Sequence, residues 1–89
     1  MLNSRQLDFL DEMKKNLGVV EISLKNSGIE RDEYLEWKEK DFVFQEELDN
    51  INSIALDYVE NKLYQEIRDG NIQAISFYLK TKGKGRGYI

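Results

Sequence analysis

Residues 20–39 read VEISLKNSGIERDEYLEWKE, and the spacing within this stretch decides how the N-terminal half folds. Asn26-Ser27-Gly28 is a turn signal, because glycine reaches positive φ without steric cost. Before the turn, a short helix over about 20–26 carries Ile22 and Leu24 as apolar members and the small Ser23 between them. After it, Ile29, Tyr34 and Trp37 fall one, six and nine positions beyond Gly28, the inward positions of a third helix over about 30–40. A small residue at a helix crossing, a turn glycine and apolar residues at those offsets make the spacing of a helix-turn-helix. That motif holds two helices at a steep angle so that the second can enter a major groove. An ordinary helix pair in an all-α domain has the same spacing, so both readings stand at this point.

Toward the N-terminus, a first helix is expected over about 4–16. Asn3 caps it, with Gln6 three residues on as a loose capping box. Leu7, Leu10, Met13 and Leu17 recur at helical spacing and suggest its apolar face, and Gly18 ends it. Toward the C-terminus, a long fourth helix is expected over about 42–69. Phe44, Leu48, Ile51, Ala55, Tyr58, Val59, Leu63 and Ile67 keep a spacing of three or four along it. At 1.5 Å per residue it is roughly 40 Å long, so part of its stripe must meet something beyond a three-helix domain. Asp69-Gly70-Asn71 supplies a glycine stop and an asparagine cap, and a fifth helix follows over about 72–81. A short link makes the last two helices an antiparallel hairpin. The expected architecture is all-α. Residues 1–41 form a helix-turn-helix bundle of three helices, 42–82 a helical hairpin for oligomerisation, and 83–89 a flexible basic tail.

Composition narrows the chemistry. The 89 residues include no cysteine and no histidine. Disulfides, thiolate nucleophiles, Cys/His zinc sites and histidine acid–base catalysis are thereby excluded. Pairs such as Asp11-Glu12, Asp32-Glu33 and Glu46-Glu47 sit among lysines and read as solvated helix faces. There is no glycine-rich phosphate loop and no nucleophile elbow. No enzyme activity, metal or cofactor is expected. No run approaches the ~20 apolar residues needed to cross a bilayer, and the first residues lack a signal peptide's apolar stretch. A reduced, cytoplasmic setting is the default expectation, with no membrane partner.

Charge is unevenly spread. Residues 80–89 hold Lys80, Lys82, Lys84 and Arg86 and no acid, whereas residues 1–79 hold nine basic residues against seventeen acidic ones. Glycine spacing would let the basic tail track a phosphate backbone. On the presumed recognition helix the outward positions are Glu30, Arg31, Asp32, Leu35, Glu36 and Glu39, four of them acidic, and carboxylates there repel phosphates. The candidate DNA contacts are Lys25, Arg31 and Lys38 near the motif and Lys80, Lys82, Lys84 and Arg86 on the tail. Leu48, Ile51, Tyr58, Leu63, Ile75 and Tyr78 are the candidate oligomerisation residues, since the hairpin offers apolar and aromatic area of the kind interfaces favour.

Several segments carry a more specific signal. They are Ser27-Gly28-Ile29 with Tyr34, Trp37, Asp41 and Phe44; Ala55-Leu56-Asp57 with Lys62-Leu63; and Asp69-Gly70-Asn71 with Ala74-Ile75. Last come Phe77-Tyr78-Leu79-Lys80-Thr81-Lys82-Gly83-Lys84 and Arg86-Gly87-Tyr88. Together they resemble a helix-turn-helix family of phage and prophage terminase small subunits, and the resemblance spans nearly the whole chain. It implies recognition of double-stranded viral DNA for genome packaging, assembly into rings through helical hairpins, and regulation of a large subunit that holds the ATPase and nuclease. The sequence departs from that family at two places. Glu30, Asp32, Glu33 and Glu36 stand where Ser, Thr and Arg are usual, and Phe42 stands where proline commonly follows the Asp. A protein-interaction or scaffold module of the same fold, or a phage or prophage transcriptional regulator, are the alternative expectations.

Overall fold

The computed structural model describes residues 1–83 and residue 85. Among these the chain is all-α, with five helices and no strand: α1 (Ser4–Lys15), α2 (Val20–Ser27), α3 (Arg31–Lys40), α4 (Phe42–Arg68) and α5 (Ile72–Thr81). Two compact units result, Met1–Leu56 and Asp57–Ile89.

Polar side chains start three of the helices. At α1 the Gln6 amide donates to Asn3 Oδ1 (2.8 Å) and the Asn3 amide donates to Gln6 Oε1 (2.9 Å), so the capping box is complete. Asp41 Oδ1 accepts from the Phe44 amide (3.1 Å) at α4, and Asn71 Oδ1 from the Ala74 amide (3.1 Å) at α5. Left-handed residues follow three of the helices, α1, α2 and α4. Gly28, at φ +71°, follows α2, and Ile29 N–H donates back to Leu24 O (3.2 Å). Gly70, at φ +86°, does the same after α4, with Asn71 N–H donating to Glu66 O (3.0 Å). After α1 the turn is made differently from the sequence expectation. Leu17 itself takes the left-handed conformation (φ +53°) ahead of Gly18 (φ +78°), whose N–H donates to Met13 O at 2.8 Å. A Cβ at Gly18 would lie 2.6 Å from Asn52 Oδ1 on α4, so that exposed side chain would have to turn aside.

The core of the first unit is Phe9, Leu10 and Met13 of α1, Leu24 of α2, Ile29, Tyr34 of α3, and Phe44, Leu48 and Ile51 of α4, with Leu2, Val20 and Trp37 against its edge. Four rings pack at its centre. Phe9 lies 5.1 Å from Tyr34 and 6.0 Å from Phe44, and Trp37 lies 5.4 Å from Phe44, all tilted as aromatic quadrupoles favour. Here the expected apolar face of α1 is corrected. Leu7 and Leu17 are about half exposed, and the buried stripe is Gln6, Phe9, Leu10 and Met13, at i, i+3, i+4 and i+7. Gln6 can be buried because its Nε2 donates to Asp41 Oδ2 (2.9 Å) while its Oε1 completes the capping box. Ile22, expected as an apolar member of α2, is exposed.

The expected boundary after residue 41 is also corrected. The first four turns of α4 belong to the N-terminal unit, because Phe44, Leu48, Ile51 and Ala55 fill the core that α1–α3 leave open. Leu48 and Ile51 are each 4% exposed, so they are core residues and not part of an oligomerisation surface. The second unit holds the rest of α4 and α5. Leu63, Ile67, Ala74, Ile75 and Leu79 are partly buried there, and α5 buries no residue fully. Among the described residues, no helix is long and apolar enough to cross a membrane.

Candidate nucleic-acid interface

Of the five motif residues, Ser23, Ile29 and Tyr34 are buried, Trp37 is partly buried and Gly28 follows α2. Ser23 is completely buried, as a side chain must be where helices approach closely, and 28 residues into the chain Gly28 makes the left-handed turn. Ser23 Oγ donates to Val19 O (2.7 Å) and accepts from Asn16 Nδ2 (3.4 Å), which ties the α1–α2 turn to α2. Ser27 Oγ donates to Ser23 O (2.7 Å) one turn later. Ile29 and Tyr34 are buried and Trp37 is partly buried against the core. With these three inward, α3 turns Asp32, Leu35, Glu36 and Glu39 outward as one stripe.

The cations near the motif are less available than the sequence suggested. Arg31 forms an ion pair with Glu21 of α2. Lys40 approaches Glu36 (3.9 Å), and Arg5 of α1 donates through Nε (3.1 Å) and Nη2 (2.7 Å) to the Glu33 carboxylate. This forked contact raises the Arg5 pKa and lowers that of Glu33, in both cases chiefly through the side-chain hydrogen bond. Lys25 and Lys38 are exposed. A shallow hollow of about 380 Å³ at the α2–α3 turn is lined by Glu21, Lys25, Glu30 and Arg31 among others, so its charges nearly cancel.

Further along the chain, Lys80 lies in the last turn of α5 and Lys82 caps it, both exposed. Lys84 and Arg86, the other tail candidates, lie outside the described residues. Of the residues expected at an oligomer interface, Tyr58 and Tyr78 are about half exposed and Leu63 and Ile75 partly buried. Lys62 places its ammonium 5.6 Å from the Tyr58 ring centroid. Val59, Tyr64, Ile72 and Phe77, expected as apolar or aromatic members of the hairpin, are also exposed, and Ile54 and Leu56 add exposed apolar surface that the expectation had not included. The signal for Ile54 and Leu56 was their place off the buried stripe of α4, where an apolar side chain has no intramolecular use.

The two units differ in sign. Residues 1–56 hold seven basic and thirteen acidic residues, and residues 57–89 six basic and four acidic. Compared with known protein families, characterised proteins and solved structures, the chain shows no significant match.

Proposed function

We infer that the chain is a DNA-binding and assembly protein of the kind that small terminase subunits represent. In this reading α2 and α3 are a helix-turn-helix, the second unit assembles copies, and double-stranded phage DNA and a large terminase subunit are the partners. The observation that supports it best is the α2–Gly28–α3 corner. A buried serine, a left-handed glycine and three inward apolar residues meet at the spacing that the motif requires. In this reading DNA affinity rests on Lys25, Arg31, Lys38 and the basic residues 80–86, with Arg31 having to leave its exposed pair with Glu21. Each copy then binds weakly, and an oligomer multiplies those contacts through its effective concentration.

The test is binding to a long DNA duplex, followed by light scattering across a salt series. Counterion release gives log K a slope of about −0.9 per phosphate contacted. Replacing Lys80, Lys82, Lys84 and Arg86 with alanine should flatten that slope by roughly 3–4. Binding unaffected by salt, or a slope that the four replacements leave unchanged, would refute this assignment of contacts.

A second reading has an observation of its own. The outer stripe of α3 is acidic, which suits a protein module that kept the fold without DNA. Alanine at Glu30, Asp32, Glu33 and Glu36 should then abolish partner capture while leaving any DNA binding no weaker.

A further inference from the structure

The exposed outer stripe of α3 is followed, past the Asp41 corner, by exposed apolar residues at the start of α4. Leu35 is 45% exposed, Phe42 69% and Val43 45%, so three large apolar side chains face solvent within nine residues. Gln45 Nε2 donates to the Lys38 and Glu39 carbonyls and holds the first turn of α4 against the end of α3. Asp32, Glu39 and Glu46 are exposed carboxylates on the same two helices, α3 and α4. Among the described residues, no cation lies within ion-pair distance of any of the three. An apolar strip accompanied by carboxylates suits neither phosphate, which the charges repel, nor a second copy of itself.

We propose that this face receives residues 80–89 of a second copy of the chain. Charge complementarity selects the occupant. That segment carries Lys80, Lys82, Lys84 and Arg86 without an acid, followed by Tyr88 and Ile89, so it brings both the cations and the apolar side chains that the strip lacks. Glycines at 83, 85 and 87 leave the backbone free to lie close along a helix surface. The seven residues beyond the Lys82 cap of α5 would reach roughly 23 Å if extended, enough to follow α3 from Asp32 to Glu39, about 10 Å of rise, and continue past Phe42. The contacts are exposed ion pairs around a small apolar centre, so the association is weak and salt-sensitive. It does not depend on DNA binding, and its test contains no DNA.

The experiment mixes equal amounts of unlabelled and uniformly 15N-labelled full-length chain at low salt and couples lysines to carboxylates with a water-soluble carbodiimide. The expected result is cross-linked peptides joining Lys80, Lys82 or Lys84 to Asp32, Glu39 or Glu46, with light and heavy partners mixed, and their loss in 0.3–0.5 M salt, where the Debye length is only a few ångströms. Cross-links between like isotopes alone, or none to these carboxylates, would overturn the proposal. A charge swap gives a second reading. Glu39→Lys with Glu46→Lys should weaken self-association on the order of tenfold. Mixing that variant with one carrying Lys82→Glu and Lys84→Glu should restore it. Failure of the mixture to recover association would overturn the proposal even if each variant alone is impaired.

Discussion

Asp41 accepts two hydrogen bonds that join separate parts of the first unit. One carboxylate oxygen caps α4 at the Phe44 amide, and the other holds Gln6, whose side chain is also half of the α1 capping box. The Gln6 contact, and after it the Phe44 amide, hold the Asp41 pKa below the usual aspartate value. The unfolded chain therefore binds this proton more readily than the folded one. Stability from this group is present above the ordinary aspartate pKa and is lost as pH falls through the lowered folded value. Asp41→Ala should lower the thermal midpoint at neutral pH, and its midpoint should fall less between pH 4 and pH 2 than that of the parent. Phe9→Ala should cost about 3–5 kcal/mol by urea titration, since the ring is wholly buried against two others, Tyr34 and Phe44. The Asn3–Gln6 box and the Gly28 turn could be read from sequence because each depends on residues only three or four apart. The burial of Gln6 could not, because a polar residue becomes core only when a distant partner, here Asp41, satisfies it. The spacing of Leu7 and Leu17 fitted a helix face as well as Phe9 and Gln6 do, and only the packing of α4 chooses between them.

At the scale of the element, α4 is the informative case. Its period of three to four predicted a helix of the observed extent, but not which part of the stripe is core. Phe44 to Ala55 sink into the first unit, whereas Tyr58, Val59 and Tyr64 remain about half exposed. Periodicity reports that a face is apolar and is silent on what covers it. An isolated helical stretch of a dozen residues is marginal in water, so amides of residues 57–68 should exchange with deuterium much faster than those of 46–55 in dilute protein. If the second unit assembles copies, raising the concentration should protect 57–68 while leaving 46–55 unchanged. Protection of 57–68 that is equally strong at every concentration would remove the case for assembly through this segment. The turn after α1 yields another prediction. A non-glycine residue in the left-handed region costs roughly 1 kcal/mol, and the half-exposed Leu17 has little burial to lose. Leu17→Asn should therefore stabilise the unit by roughly 0.5–1 kcal/mol, seen as a thermal midpoint several degrees higher.

For the molecule as a whole, the sequence made the helix count plain, along with the asymmetry of charge. It did not make plain where the first compact unit ends, because that depends on α4 filling a gap left by three other helices. Nor did it reveal that Arg31 meets Glu21, since the two residues stand on separate helices. The division of charge has a bulk consequence. A chain with a net of −6 over residues 1–56 and +2 over 57–89 is a block polyampholyte. Its blocks attract one another across molecules when little electrolyte is present. Such a protein salts in: turbidity should be greatest after dialysis into dilute buffer near its isoelectric point of about 4.8 and clear on adding sodium chloride, the reverse of what uniform charge would give. It should also bind anion- and cation-exchange resins alike near neutral pH, because each resin meets the block of opposite sign.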